Sequence, residues 1–350
     1  MTGKERMTAA LSGRVPEEIP VTPHWWGLYK FQLGGLLNNY DKEKEAWSCS
    51  LEDLIRYDER FIQTFDPDML HLTTMAGKRK LSSEETAEIL SLRKEASDLE
   101  SKAKIDRYID SIYQTTEQVI ENGELEHISY HSRKYGAEKL IALNEGSDTA
   151  CFFDTHVGFE NGLIGMMENP ENVQYYLRRL YDRTFQRMKA YRQLGGQAFI
   201  NSETYCSRDI MSPQLYREVI FPVQLEFYTK LRELGILPIC YFTGDILPLI
   251  DTIKMLPING LMVEASKKGF SVDTGEIADR LENKIALFGN LESHYILETG
   301  TAGEVKNETI RQLQKTKGHP FIMANDCPIS FHTPPENIHC MIDTARNYRF

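Results

Sequence analysis

Short apolar, β-rich segments alternate eight times with longer amphipathic stretches along this chain, and no other feature narrows its possible folds as far. The segments are Ile19 to Trp25, Pro67 to Leu72, Ala150 to Asp154, Gln197 to Glu203, Leu237 to Thr243, Gly260 to Ala265, Lys284 to Gly289 and Pro320 to Ala324. Strands that alternate with helices predict βα units and a parallel sheet. The last five segments run into polar or special residues: Asn201-Ser202-Glu203-Thr204, Thr243-Gly244-Asp245, Glu264-Ala265-Ser266, Gly289-Asn290 and Asn325-Asp326-Cys327-Pro328. In a closed ring of eight strands these ends converge on one mouth, where enzymes of that architecture keep their chemistry.

The expected fold is therefore α/β, a single (β/α)8 TIM barrel over residues 1–350, with no linker-like or low-complexity stretch to divide it. An elaborated insertion follows the second strand: a charged helical stretch from about Ser82 to Gly123, then a turn-rich segment, His127 to Asp148, expected as a hairpin over the mouth. Asn169-Pro170 and Ser212-Pro213 read as caps followed by a first-turn proline, and Thr333 with Glu336 as a capping box. Pro222 predicts a kink or two abutting helices between Gln214 and Leu234.

The formal net charge of -11 argues against a nucleic-acid partner, which requires a concentrated cationic face. Lys78, Arg79 and Lys80 are the one compact basic cluster, and they run into the acidic stretch Glu84 to Glu88. The first residues, Met1 to Arg14, lack a continuous apolar core, and no run approaches the roughly 18 apolar residues of a membrane span. Together with six scattered cysteines and no CxxC pair, this gives the expectation of a cytoplasmic protein with reduced thiols.

Glu203 closes the apolar run Ala198-Phe199-Ile200, and Glu264 closes Leu261-Met262-Val263. A carboxylate at the end of a buried strand either ionises against a partner or titrates high, and both states suit an acid, a base or a metal ligand. The structural alternative is a rim salt bridge to Lys267 or Arg208. Tyr241, Thr243 and Asp245 share period-two spacing, so a lumen-facing Tyr241 brings the other two with it and turns Cys240 toward the helices. Cys327 lies where a thiolate can bind a soft metal or attack an electrophile, with further ligands supplied by distant strands. His24, His71 and His156 stand beside strand ends and His332 in a loop after the last strand, each as readily structural as functional. Trp25, Trp26, Phe159 and Phe331 offer flat walls, with core packing the equal alternative. Phosphate-binding and dinucleotide fingerprints are absent.

Four stretches, in order along the chain, resemble the uroporphyrinogen decarboxylase superfamily. They are Lys4-Glu5-Arg6-Met7-Thr8-Ala9-Ala10-Leu11 with Ile19-Pro20-Val21, then Asp209-Ile210-Met211-Ser212-Pro213-Gln214-Leu215-Tyr216 with Pro222, then Leu287-Phe288-Gly289-Asn290-Leu291, then Cys327-Pro328-Ile329 with Thr333-Pro334-Pro335-Glu336-Asn337-Ile338. The resemblance implies one (β/α)8 barrel and either decarboxylation or cobalamin-dependent methyl transfer. Decarboxylases of this type hold their substrate with arginines after the first strand and an aspartate after the second. Here those stretches read Pro23-His24-Trp25-Trp26-Gly27-Leu28-Tyr29-Lys30 and Leu70-His71-Leu72-Thr73-Thr74-Met75. Several substrate carboxylates would be left without partners, which disfavours that reaction.

The methyltransferase branch implies Zn2+ held by a His-x-Cys pair on the fifth strand and a cysteine after the eighth. Cys327 matches the last ligand, whereas Tyr241 and Thr243 stand in place of the pair. Either Glu203, with Glu264 or His332, replaces them as metal ligands, or the metal is lost. The resemblance thus implies a methyltransferase working between a small donor, such as a methoxylated aromatic, and a corrinoid carried by a partner protein. Zn2+ or a protonated Glu203 polarises the donor's oxygen, Glu264 and Tyr241 orient it, and the insertion from Ser82 to Asp148 helps receive the partner. His24, Trp25, His71, His156, Thr243, Asn290 and His332 are the expected substrate contacts. Two alternatives stay open: a metal-free decarboxylase or other lyase with Glu203 or Asp245 as proton donor, and a noncatalytic barrel that binds a small molecule or a corrinoid protein.

Overall fold

The computed structural model describes residues 1–36, 46, 48–267 and 269–349. Seven parallel strands lie side by side in sequence order: β1 (Met69–Leu72), β2 (Leu140–Gly146), β3 (Ala198–Glu203), β4 (Leu237–Phe242), β5 (Gly260–Val263), β6 (Ala286–Phe288) and β7 (Phe321–Ile322). Parallel neighbours need a crossover of a dozen or more residues, and helices such as Pro170–Gln193, Phe221–Glu233 and Ala302–Lys315 supply it. An extended stretch at Val21 reaches both sheet edges. Its carbonyl accepts from Asp68 N–H beside β1 (3.0 Å), and Pro20 carbonyl and Thr22 N–H bond Met323 beside β7 (2.8 and 2.9 Å).

Asp68 organises that junction. Its carboxylate accepts from Val21 N–H (2.9 Å) and from Arg6 Nη2 and Nε (2.7 and 3.1 Å), so one buried acid ties the first helix, Gly3–Leu11, to both segments. Thr2 and Glu5 start that helix with a capping box. Its Met7, Ala10 and Leu11 join Met69, Ala142, Ile200, Ile239, Met262 and Phe288 in a cluster on the inner face of the sheet. A larger cluster, including Phe199, Phe242 and Val263, lies between the outer face and the helices. Among the described residues no helix is long and apolar enough to cross a membrane.

Four expectations about local structure give way. Ala150 to Asp154 is not a strand: it belongs to the helical turns Asp148–Cys151 and Phe152–His156, and the strand that pairs with β1 is Leu140–Gly146. The expected hairpin over His127 to Asp148 is accordingly replaced by the helix Glu126–Tyr135 and by β2 itself. Three more helices, Ser83–Ala96, Lys102–Ile112 and Thr116–Asn122, fill the preceding connection. Pro222 sits at the start of the helix Phe221–Glu233, directly after a π-helical turn at Tyr216–Ile220, so two helical pieces do abut there. Ser212 Oγ caps as expected, accepting from Leu215 N–H, whereas Asn169 makes no side-chain cap and the last helix starts at Pro335 without Thr333.

Candidate functional site

Side chains alternate across a strand, so register alone sorts the expected site residues into two groups. Tyr241 belongs to the inner cluster, and its parallel partner on β3 is Ser202. Glu203 pairs with Phe242, a residue of the outer cluster, and therefore points away from the lumen. There it accepts hydrogen bonds from Tyr228 Oη (2.9 Å), Asn201 Nδ2 (2.8 Å) and, more weakly, Tyr181 Oη (3.4 Å). Burial raises its carboxyl to about 7, despite the donors from Tyr228 and Ser147. The expectation that Glu203 shares a cavity with Tyr241, as acid or metal ligand, gives way to a buried carboxyl behind the sheet. Asp148 nearby is also raised by burial, to about 6.

The inner group forms a polar mouth. Glu264 is fixed by Gly244 N–H (2.9 Å) and by an ion pair with Lys267, while its own carbonyl accepts from Asn290 Nδ2 (3.0 Å). Cys327 Sγ donates to Asp326 Oδ1 (3.1 Å). Asp326 is anchored in turn by Ser293 N–H (2.9 Å) and Ala265 N–H (3.3 Å), which sets the ends of β5, β6 and β7 around one carboxylate. Burial, then the Asp326 carboxylate, drives the Cys327 thiol far up, so it carries its proton at neutral pH. Burial also raises Tyr241 well above a normal phenol, with Cys327, Glu264 and Asp326 adding to the effect. Tyr241 is thus a proton-bearing hydroxyl in an acidic neighbourhood.

Aromatic rings line the opposite wall. His24 meets Trp26 at 4.8 Å, His71 at 5.2 Å and Tyr241 at 6.4 Å between ring centroids, and Trp26 stacks on His71 at 5.3 Å. His24 is held by its backbone to the end of β7, through Asn325 Oδ1 (2.7 Å) and Ile329 N–H (2.8 Å). Burial lowers both imidazoles, His71 to about 3, so both are neutral.

Other expected contacts lie elsewhere. Trp25 stacks on Phe61 (4.5 Å, 7°) in the outer core, and its neighbour Trp26 takes the mouth instead. His156 accepts or donates a bond with Tyr108 Oη (2.7 Å) outside the sheet, and His332 is exposed beside Phe331. Thr243 Oγ1 is spent on Thr204 carbonyl (2.8 Å), and Asp245 pairs with Arg208 (3.0 Å) on the rim. Trp26, one of the four rings expected as flat walls, is the one that reaches the mouth, whereas Asp326 was given no role by sequence, although it continues the period-two row Ile322, Ala324 into the mouth.

The zinc site does not fit these residues. Cys327 and Glu203 lie on opposite faces of the sheet, and among the described residues no three His, Cys, Asp or Glu side chains converge as a metal-holding group.

Glu203 gives a testable consequence. Its carboxyl is about 7 in the fold against an ordinary 4.5, so the stability it adds is complete at low pH and disappears as pH rises through 7. Glu203→Gln keeps a neutral group in place. Between pH 4.5 and 8 its stability relative to the unsubstituted chain, read by urea denaturation, is expected to improve by about 3 kcal/mol. A pH-independent difference would refute the raised carboxyl.

A parallel sheet whose strands alternate with helices places the chain in the α/β class of folds. Within it, this chain belongs to the uroporphyrinogen decarboxylase (URO-D) family, whose sequence model matches residues 149–348. It is 24% identical over 227 residues to the methylcobamide:CoM methyltransferase MtbA of Methanosarcina acetivorans, covering 65% of this chain and 63% of that relative. It is 25% identical over 156 residues to the methylcobamide:CoM methyltransferase MtaA of Methanosarcina barkeri, covering 45% and 43%. A solved methyltransferase from Methanosarcina mazei shares the fold along 99% of this chain and 98% of its own, with a TM-score of 0.77 at 16% identity. The aligned stretch thus spans less than two thirds of the curated relatives' length.

Proposed function

We propose that this chain is a methyltransferase that moves a methyl group between a small donor and a corrinoid held by a separate partner protein. The similarity over 227 residues to a methylcobamide:CoM methyltransferase carries this reading. The mouth supports it against decarboxylation of a polycarboxylate. Among the described residues its acids Glu264 and Asp326 face one cation, Lys267, already paired to Glu264, so a substrate rich in carboxylates finds repulsion there. We further read the Val21 stretch as the eighth strand that closes the sheet into a (β/α)8 barrel, since it bonds to both edges.

In this reading the donor is a methyl ether, methoxylated aromatics included, lying against Trp26, His24 and His71. The Tyr241 hydroxyl donates a hydrogen bond to the ether oxygen and stabilises the negative charge that grows there as the methyl group leaves. Glu264, locked by Gly244 N–H and Lys267, and Asn290 fix the shape of the wall beside it. The partner's corrinoid supplies the cobalt that accepts the methyl group. Mixing the chain anaerobically with cob(I)alamin and 2-methoxyphenol tests the reading. Methylcobalamin and catechol in equal amounts are expected, and no methylcobalamin from any ether, thioether or methylamine would sink it.

A further inference from the structure

The two lumen imidazoles are left unsatisfied, as is Oδ1 of Asn144 on the same inner face of the sheet. Both ring nitrogens of His24, and Nδ1 of His71, are buried without a hydrogen-bond partner. Loose placement does not explain this, because the His24 backbone is bonded at both N–H and C=O and His71 lies within β1.

The tautomer of His71 follows from its neighbour. Thr22 Oγ1 has one proton and lies 3.3 Å from Met69 carbonyl, which can only accept, and 3.1 Å from His71 Nε2. Assigned with the hydroxyl proton on the carbonyl, His71 Nε2 is the donor to Thr22. Its Nδ1 is then a bare lone pair, buried and unanswered. Buried acceptors of this kind are answered by a ligand, an ion or water. Trp26, half-buried, stacks on His71 and meets His24 at a tilt, so it is the most exposed of the three rings.

We propose that His71 Nδ1 sets substrate specificity by accepting a hydrogen bond from an O–H or N–H of a neutral, flat ligand, with His24 answering a second polar group. An anionic group at the same place meets a lone pair, with no cation beside it among the described residues, and is rejected. This deepens the methyl-transfer reading by giving the donor a second polar substituent beside its methylated one.

Calorimetric titration of the full chain, without any corrinoid, separates this from the activity itself. The probes are 2-methoxyphenol, which carries the O–H donor, and 1,2-dimethoxybenzene, which lacks it. The phenol is expected to bind roughly tenfold tighter, as one hydrogen bond to a buried acceptor allows. His71→Phe is expected to reduce the gap to about twofold or less, and His71→Gln, which restores an acceptor, to return it. Equal binding of the two probes, binding of neither, or an unchanged preference in His71→Phe overturns the proposal. So does tight Zn2+ binding that excludes the phenol and is lost in His71→Phe, which would assign the imidazoles to a metal. Failure here leaves methyl transfer standing, and failed methyl transfer leaves this binding preference measurable.

Discussion

Lys30→Met is expected to destabilise the fold by about 3 to 5 kcal/mol in urea denaturation, among the largest effects of any single substitution outside the sheet. Lys30 and Asp58 are both fully buried, 2.7 Å apart, and His131 Nε2 stands 3.2 Å from the other Asp58 oxygen. Burial alone would raise the Asp58 carboxyl, but Lys30, then His131, outweigh it and hold it at about 2. Removing the ammonium leaves that carboxylate charged in a dry site, which is the costly case for a buried pair. Removing both charges is not: Lys30→Met combined with Asp58→Leu is expected to recover most of the loss. A single-variant loss below about 1 kcal/mol would show that the pair is solvated. The pair also matters for the mouth, since Lys30 lies six residues after His24 and pins that loop to the helix Leu51–Phe65.

Acidification is expected to unfold the chain more steeply than carboxylate titration alone would produce. Burial lowers His24, His71, His127 and His156, the last three to about 3, 4 and 4. Unfolded, each takes a proton near 6.5, so stability is lost as pH falls below that value toward 4. Glu203 and Asp148 act in the opposite sense, being raised to about 7 and 6 and favouring the fold at lower pH. Four groups oppose two, which leaves a net uptake of about two protons on unfolding near pH 5.5, or roughly 2 to 3 kcal/mol per pH unit. Stability from urea midpoints should therefore rise from pH 5 to 6.5 and flatten above neutrality. A flat or falling profile over that interval would contradict neutral buried imidazoles, and His127→Phe should reduce the slope by about one proton.

The alternation of short apolar segments was enough to place β1 and β3 through β7, because each is bounded by turn residues and followed by a long amphipathic stretch. Leu140 to Leu143 was missed since Ala150-Cys151-Phe152-Phe153 reads equally well as a buried run, and period cannot separate a short buried strand from a helical turn. The deciding signal was local: Ser147 before Asp148 is a helix start, and Ser147 Oγ does accept from Ala150 N–H. His127 and His131, four apart around Ile128, likewise mark a helix face, not a hairpin.

At the site, period-two spacing gave Tyr241 and Cys240 opposite faces and left open which one is inside; the structure has Tyr241 inward and Cys240 outward. The same rule gives Ser202 and Glu203 opposite faces but not which one is inside; only pairing with β4 decides it. Trp25 and Trp26 pose the same choice in a loop with no period to read. The Lys30, Asp58 and His131 cluster joins residues 28 and 73 apart in sequence, and no spacing rule reaches across such distances.

In the proposed function, methyl transfer takes place among the inward-facing residues and not at the titratable network behind β3. The single-turnover rate of cob(I)alamin methylation by 2-methoxyphenol, compared between Tyr241→Phe and Glu203→Gln, tests it most directly. Loss of one donor to a developing oxyanion predicts a rate lowered about 10²-fold or more in Tyr241→Phe, with Glu203→Gln close to the unsubstituted chain. The reverse order, a full rate without the Tyr241 hydroxyl and a collapsed one without the Glu203 carboxyl, would contradict it.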